Sequence, residues 1–174
     1  MALVFQYGSN MSAKRLNSGD RLKGDAHFVG TAITKDAYEF AFAIWSESKQ
    51  NQCAAADIIE GSGRRIWGVV YEIADDLIKR GTAEAIQRKS LDAIEGEGKN
   101  YQRIEIKLRW RNGRDVMKPV ITYTGLDRKK GIKTSLAYVQ HILKGLAERK
   151  IPTNYVKYVK ARIIENNQAL RDVI

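Results

Sequence analysis

The 174-residue sequence predicts an α+β fold, in which short, mostly antiparallel strands form a curled sheet or a small β-barrel with helices packed outside. Short runs of β-branched and aromatic residues, separated by glycine, asparagine or aspartate, fill the first two thirds of the chain. Helical spacing begins after Thr134. Because parallel βαβ units need a helix between most pairs of strands, this pattern disfavours a doubly wound sheet.

Seven strands are predicted in chain order. Alternation of apolar residues within Tyr38–Trp45 indicates one buried face, and the regular alternation of Gln102–Trp110 indicates a single continuous strand. Asn112-Gly113 follows that strand and is typical of a hairpin turn with positive φ, so the strands on either side of it should be antiparallel neighbours. The predicted strands are Leu3–Tyr7, His27–Ile33, Tyr38–Trp45, Cys53–Ile59, Ile66–Ile73, Gln102–Trp110 and Val116–Tyr123.

Four helices are predicted around these strands. One follows an N-cap at Thr134 or Ser135 and repeats apolar residues at helical spacing through Leu146. Another begins at Pro152 and places Tyr155, Val159, Ile163 and Leu170 on one stripe. A short helix is expected after Asn10 and a longer one over residues 75–95.

Length and composition predict a single domain over residues 1–174. The single cysteine, Cys53, cannot form an intrachain disulfide, and the first residues lack an export signal, so a cytoplasmic location is expected. No apolar run approaches the length of a membrane span. His27 and His141 lack metal-site spacing and no glycine-rich nucleotide motif occurs, so neither a metal nor another cofactor is expected.

The positive charge is concentrated in one part of the chain. Residues 99–162 carry a net charge of +13, whereas the whole chain carries +10. Such a stretch can bind phosphate or an acidic partner, but solvated strand and helix faces have the same composition. Nucleic-acid binding is disfavoured because few aromatic residues are interleaved with the basic ones.

A glycine-containing loop is the first candidate site. Tyr7-Gly8-Ser9-Asn10-Met11 connects the first strand to the short helix. Glycine allows close approach of a ligand, and free N–H groups at such a junction can bind a carboxylate or a phosphate. The alternative is a turn in which Ser9 or Asn10 simply caps the helix.

Glu95 is the second candidate. It lies between apolar residues and Gly96 at the end of a predicted helix. Burial there would raise its pKa toward the range in which a carboxyl group can both accept and return a proton. The alternative is a surface glutamate before a C-cap glycine. Asp92 fits a structural partner better, and Glu97 falls on a loop.

The order of these motifs resembles that of the gamma-glutamylcyclotransferases, which share the AIG2-like fold. The resemblance covers roughly residues 3–165. The segments that carry it are Phe5-Gln6-Tyr7-Gly8-Ser9-Asn10-Met11, Lys14-Arg15-Leu16, Ile66-Trp67-Gly68-Val69-Val70-Tyr71-Glu72-Ile73, Leu91 to Gly96, Tyr101-Gln102-Arg103-Ile104 and Ile151-Pro152-Thr153-Asn154-Tyr155. The segment between Ile73 and Ser90 and the basic stretch 99–162 depart from the family pattern.

The resemblance implies a small β-barrel with a cavity at one end, and an enzyme that uses no cofactor. It implies an acyltransferase or carbon–nitrogen lyase that converts a gamma-glutamyl amide into 5-oxoproline and a free amine. Glu95 would transfer the proton, the N–H groups of Gly8, Ser9 and Asn10 would hold the substrate carboxylate, Tyr7 would line the pocket, and Tyr101 would orient the substrate or Glu95.

Two questions stay open in the sequence. The amine half of the gamma-glutamyl substrate is not defined, although Arg128-Lys129-Lys130 would favour an acidic one. The alternative from another class is a non-catalytic binding protein of the same fold, whose 99–162 surface binds nucleic acid or an acidic partner. The oligomeric state, including a homodimer, is also left open.

Overall fold

The computed structural model describes residues 1–47, 52–61 and 63–174. Runs of strands are separated by helices along these residues, with short 3₁₀ turns at Ser9–Met11, Asp75–Leu77 and Gln168–Leu170. The strands are β1 Ala2–Gln6, β2 His27–Thr34, β3 Tyr38–Ser46, β4 Cys53–Glu60, β5 Trp67–Ile73, β6 Tyr101–Glu105, β7 Leu108–Trp110 and β8 Val120–Gly125. The α-helices are α1 Ala13–Leu16, α2 Arg80–Ala85, α3 Leu91–Glu95, α4 Leu136–Glu148 and α5 Thr153–Asn166.

The strands of the described residues form two sheets. The larger has six strands in the order β6-β8-β1-β5-β2-β7, and the smaller is the β3–β4 hairpin. Neighbouring strands are antiparallel except β1 and β8, which are parallel. The α+β class and the mostly antiparallel pairing are therefore confirmed. β1 is one of the two central strands, so the loop that follows it starts in the middle of one end of the sheet.

The prediction of a closed barrel is wrong. The edge strands β6 and β7 pair with β8 and β2, and within the described residues no ladder joins them to each other. The sheet is nevertheless strongly curled, because two residues connect its two edges. Three Cα–Cα steps span at most about 11 Å, so Glu105 and Leu108 lie close together. The sheet curls without the hydrogen bonds that would close it.

The predicted strand Gln102–Trp110 is divided in the structure. The Ile106 N–H donates to the Val120 carbonyl (2.9 Å), whereas the carbonyl of the next residue, Lys107, accepts from the Lys35 N–H (2.9 Å). The chain thus leaves β8 and joins β2 at this point. β6 does pair antiparallel with β8, as expected for neighbours.

The Asn112-Gly113 turn is present, with Gly113 at φ +87°. It does not connect β6 to β8 directly. It returns the chain beside β7, where the Val116 N–H donates to the Leu108 carbonyl (3.0 Å). β8 then begins after Pro119, which has no N–H to donate to a ladder.

The two long helices agree with their predicted positions. The Ser135 hydroxyl caps α4 by accepting from the Tyr138 N–H (3.3 Å), and α5 follows Pro152. Tyr155, Val159 and Ile163 are buried along α5. The predicted helix over 75–95 is broken into a 3₁₀ turn, α2 and α3, because Gln87 adopts φ +55° and Ser90 starts a new helix as its N-cap.

Buried apolar side chains from both sheets and from α4 and α5 form one continuous cluster. Gly68 on β5 packs closely against β1, because a Cβ built there would be 2.5 Å from the Gln6 carbonyl oxygen and 2.6 Å from the Phe5 ring. β1 and β5 can therefore pack this closely only because Gly68 has no side chain.

Replacing Gly68 with alanine is expected to lower the free energy of unfolding by about 1–3 kcal/mol, since β1 or the Phe5 ring must move. The matched control is Gly81→Ala on α2, where nothing lies within 4 Å of the added Cβ. That change should be neutral or stabilising by up to about 1 kcal/mol. Urea denaturation of the two variants measures the difference, and equal midpoints would contradict the packing argument.

Candidate active site

Glu95 is the last residue of α3, a helix held at both ends by local capping. The Ser90 hydroxyl accepts from the Ala93 N–H (3.0 Å) at its start. At its end Gly96 adopts a left-handed conformation, φ +69°, which glycine accepts at little cost. These caps define the residue at which the helix stops and so place Glu95.

Asp92, three residues earlier, ties α3 to the large sheet. The Arg103 guanidinium donates to both of its carboxylate oxygens (2.7 and 2.6 Å), and the Tyr123 hydroxyl donates to Oδ1 (2.7 Å). Asp92 is 4% exposed. Since a buried carboxylate needs such partners, its contacts are structural, as expected from the sequence.

The loop after β1 lies beside the end of α3. Gly8 has φ −104°, so its conformation is not left-handed. The Met11 N–H donates to the Gly8 carbonyl (3.1 Å), which is the first bond of the 3₁₀ turn. The N–H groups of Gly8, Ser9 and Asn10 precede that bond, and none finds an acceptor among the described residues.

Glu95 is oriented by two side-chain amides. Gln6 Nε2 (3.0 Å) and Asn10 Nδ2 (2.8 Å) both donate to Glu95 Oε1. Asn10 is oriented in turn, because Arg21 Nη1 donates to its Oδ1 (3.2 Å). In the described part of the chain no group donates to Oε2, so one oxygen of the carboxyl group is held while the other is free for a ligand.

Burial raises the pKa of Glu95 above its ordinary value. The amide of Asn10, the charge of Arg21, the amide of Gln6 and the charge of Arg15 oppose this effect and lower the pKa, without cancelling it. A carboxyl group with a raised pKa is suited to exchanging a proton near neutral pH.

Glu95 faces a cavity of about 220 Å³. A smaller pocket of about 30 Å³, enough for a water molecule or the end of a carboxylate, lies next to it and is lined by Tyr7, Gly8, Ser9 and Asn10 among others. The two share Ser9, Asn10, Glu95, Tyr101 and Tyr138. The structure thus brings together all six residues that were proposed from the sequence.

The tyrosines in this group have structural contacts of their own. The Tyr7 hydroxyl donates to the Tyr123 carbonyl (2.6 Å). The Tyr101 hydroxyl donates to the Ala56 carbonyl (2.7 Å), and the Ala56 N–H donates to the Tyr138 hydroxyl (2.9 Å). Tyr101 therefore bonds to the β4 backbone rather than to Glu95. Burial raises the pKa of each of these hydroxyls, which keeps them neutral.

Sequence reasoning missed four residues of the site. Gln6 gave a usable signal, since it is the polar end of an apolar strand that leads into the candidate loop. Arg15 was noted as part of a motif but given no role. Arg21 and Tyr138 gave no signal, because the tertiary fold brings them to the cavity from a turn and from α4.

The basic stretch 99–162 is partly neutralised in the structure. Arg128 Nε lies 2.7 Å from the fully buried carboxylate of Asp57, and Lys129 lies 2.8 Å from Asp127. Arg162 pairs with Glu39 and Glu165. The expectation of a basic rim at 128–130 that selects the substrate is therefore weakened, because two of those three charges already have partners.

Comparison with known proteins gives a family and a fold. Residues 65–159 match the AIG2-like family. No curated protein sequence matches the chain. A solved structure named gamma-glutamyl cyclotransferase is similar to 92% of this chain and 86% of its own, with a TM-score of 0.73 and 22% identity. An uncharacterized protein from Homo sapiens gives the same coverage and TM-score at 23% identity.

A third solved structure, YkqA from Bacillus subtilis, has a TM-score of 0.70 and 22% identity over 93% of this chain and 54% of its own. At these identities the likenesses show a shared fold. No helix within the described ranges has the length and apolar character needed to cross a membrane. The same residues contain no group of three or more histidine, cysteine or acidic side chains placed to share a metal ion.

The raised pKa of Glu95 predicts a pH-dependent cost to stability. When the folded-state pKa of an acid exceeds its unfolded value, near 4.3, the folded state binds more protons in the interval between the two values, and stability falls as pH rises through it. The variant Glu95→Gln is therefore expected to gain stability relative to the parent as pH rises from about 4 to 7.5. Urea denaturation across this range measures the change.

The control is Glu84→Gln, which alters an exposed glutamate on α2. Its stability should track that of the parent at every pH. A stability difference for Glu95→Gln that stays constant with pH would contradict the burial argument.

Proposed function

This chain belongs to the AIG2-like family, and from that membership and the surroundings of Glu95 we propose that it is a gamma-glutamylcyclotransferase. In this proposal it releases 5-oxoproline and a free amine from a gamma-glutamyl amide by attack of the substrate's own α-amino nitrogen. The observation that supports it most is the carboxyl group of Glu95, held at Oε1 by two amides with Oε2 free at the cavity. Residues 1–174 act as a single domain in this proposal.

The reaction joins two groups of one molecule, so the site must mainly hold the substrate in the geometry for ring closure. Orientation of this kind supplies up to about 7–11 kcal/mol in the best intramolecular cases. The small pocket beside Gly8, Ser9 and Asn10 suits this task. Its free N–H groups would bind the α-carboxylate, with the glutamyl chain folded toward Glu95.

Glu95 acts as base and then as acid. It removes a proton from the α-ammonium, and the freed nitrogen attacks the γ-carbonyl carbon to form the ring C–N bond. The tetrahedral intermediate still carries a second proton on the ring nitrogen, and Glu95 accepts it after returning the first proton to the departing nitrogen, from where it passes to the released amine. Glu95 delivers a proton to the departing nitrogen, and the original amide C–N bond breaks. The raised pKa supports both directions of transfer.

The other side chains hold this arrangement. Gln6 and Asn10 keep the carboxyl group from rotating, and Arg21 orients Asn10. Tyr101 and Tyr138 fix the β4 backbone at Ala56, which lines the small pocket. The chemistry of the proposal uses these side chains and backbone groups alone.

Glu95→Gln tests the proton-transfer role. The variant preserves the shape of the side chain but cannot exchange a proton, so 5-oxoproline formation should fall by about 10²–10⁴-fold. The dissociation constant of the substrate, measured by calorimetry on the variant, should lie within about threefold of the KM of the parent when chemistry is slower than substrate release. The assay runs over gamma-glutamyl dipeptides, gamma-glutamyl amines and glutathione.

The matched control is Glu97→Gln, two residues away, whose carboxylate pairs with Arg80 outside the cavity. Its turnover should stay close to that of the parent. Near-normal turnover of Glu95→Gln would overturn the assigned role. A parent that makes no 5-oxoproline but binds nucleic acid with steep salt dependence would favour the alternative of a binding protein.

Gly8→Val tests the carboxylate-binding loop. A Cβ at Gly8 would lie 3.4 Å from the Ala56 Cβ and 3.7 Å from the Tyr138 hydroxyl, which are ordinary contacts. Gly8→Ala should therefore fold and bind substrate. The two extra methyl groups of valine occupy the small pocket, and loss of one charge-assisted hydrogen bond there should weaken binding by about 10–100-fold. Unchanged affinity in Gly8→Val would place the carboxylate elsewhere.

A further inference from the structure

A groove of about 1050 Å³ adjoins the candidate cavity. We call it the basic groove, because Lys14, Arg15, Arg21, Lys89 and Lys144 line it. Arg15 and Arg21 line both the groove and the cavity, as do Ala93 and Ile94, the two residues of α3 that precede Glu95. A ligand that extends from Glu95 past this shared wall therefore enters the groove.

The cations of the groove are poorly matched by anions. Among the described residues that line it, Asp20 is the one carboxylate, and it accepts from the Ser18 hydroxyl (2.6 Å). Arg21 and Lys89 donate to the neutral oxygens of the Asn10 side chain and the Asp20 backbone. Lys144 lies 3.8 Å from Glu148, at the limit of an ion pair. The groove keeps a large excess of positive charge.

These charges are close enough to affect one another. Burial and the charge of Arg21 lower the pKa of Arg15, whose buried Nε has no hydrogen-bond partner among the described residues. Burial, Arg15, Arg21 and Lys144 lower the pKa of His141 on the α4 side. A folded protein keeps like charges together at a cost in stability, and an anion bound in the groove would relieve that cost.

We propose that the basic groove binds the amine half of the substrate and that this half is a short acidic peptide. The inference rests on the proposed function, in which the amide is broken beside Glu95 and its amine half leaves through the mouth of the cavity. Arg15 and Arg21 stand at the junction and meet the first carboxylate of that half. The lysines farther along the groove meet the next ones.

A pair of isosteric peptides tests this specificity. Gamma-glutamyl-glutamyl-glutamate and gamma-glutamyl-glutaminyl-glutamine have the same length and the same bond to be broken, and differ in two side-chain charges. The acidic peptide should have a kcat/KM at least about tenfold higher, mostly through KM, since charge complementarity favours its binding. At about 1 M sodium chloride, where the Debye length is about 3 Å, the difference should nearly vanish.

A double variant, Lys14→Gln with Lys89→Gln, removes two exposed charges of the groove. It should reduce the preference for the acidic peptide by about threefold to tenfold, given the modest strength of exposed ion pairs. The matched control is Lys118→Gln with Lys157→Gln, which removes two exposed lysines that do not line the groove. The control lowers the net charge by the same amount but leaves the groove intact, so it should keep the full preference.

The outcomes separate this inference from the proposed function. Equal kcat/KM for the two peptides at low salt, or an equal loss of preference in both double variants, would overturn the inference and leave the cyclotransferase proposal intact. If neither peptide yields 5-oxoproline, and the other gamma-glutamyl compounds also yield none, the proposed function fails. Calorimetry on the parent then decides whether the groove binds the acidic peptide in a salt-dependent way. Absence of binding would overturn the proposed role of the groove as well.

Discussion

The pairing of Asp92 with Arg103 and Tyr123 is the contact on which the arrangement of the site depends. A buried carboxylate is tolerated when it is paired and fully hydrogen-bonded, and here its partners come from β6 and β8 of the large sheet. The five residues of α3 are too few to form a stable helix by themselves. The ion pair and the caps hold that helix, and Glu95 with it, against the loop that follows β1.

Asp92 and Glu95 lie on one short helix, and their different surroundings suit the two carboxyl groups to different roles. Asp92 accepts hydrogen bonds from the Arg103 guanidinium and so anchors α3 to the large sheet. Glu95 accepts hydrogen bonds from neutral amides. Burial raises its pKa, and the amides and the nearby arginines lower it by less. A neutral donor orients a carboxyl group without neutralising it, so Glu95 is fixed in space and can still exchange a proton.

In the proposed function, the cavity would hold the substrate for ring closure and the neighbouring groove would select its amine half. The inner end of the cavity is small and formed by the backbone of the 8–10 loop, which suits the glutamyl half common to all such substrates. Arg15 and Arg21 line both the cavity and the basic groove beside it. In these proposals, ring closure and the choice of the amine half therefore depend on different parts of the molecule, the first near the sheet and the second among the helices.

The strand and helix patterns of the sequence predicted most elements, because alternation and helical spacing are local properties. These predictions were wrong where a local pattern continues although the backbone changes its hydrogen-bonding partner or its conformation. The alternation of residues 102–110 persists although Ile106 bonds to β8 and Lys107 to β2. The helical pattern over 75–95 likewise conceals breaks at Gln87 and Ser90. The predicted closed barrel was wrong, because the number of strands does not determine whether the two edge strands pair with each other.

For the site, the sequence by itself determined the loop Tyr7–Met11 and the carboxyl group of Glu95, since a glycine-containing turn and an acid before a C-cap glycine are local signals. Only the tertiary structure decided what surrounds them. Arg21 and Tyr138 reach the cavity from a turn and a helix that are far apart in the chain. Burial, hydrogen-bond partners and the charge of the neighbouring groove depend on that long-range packing, which no local pattern of residues contains.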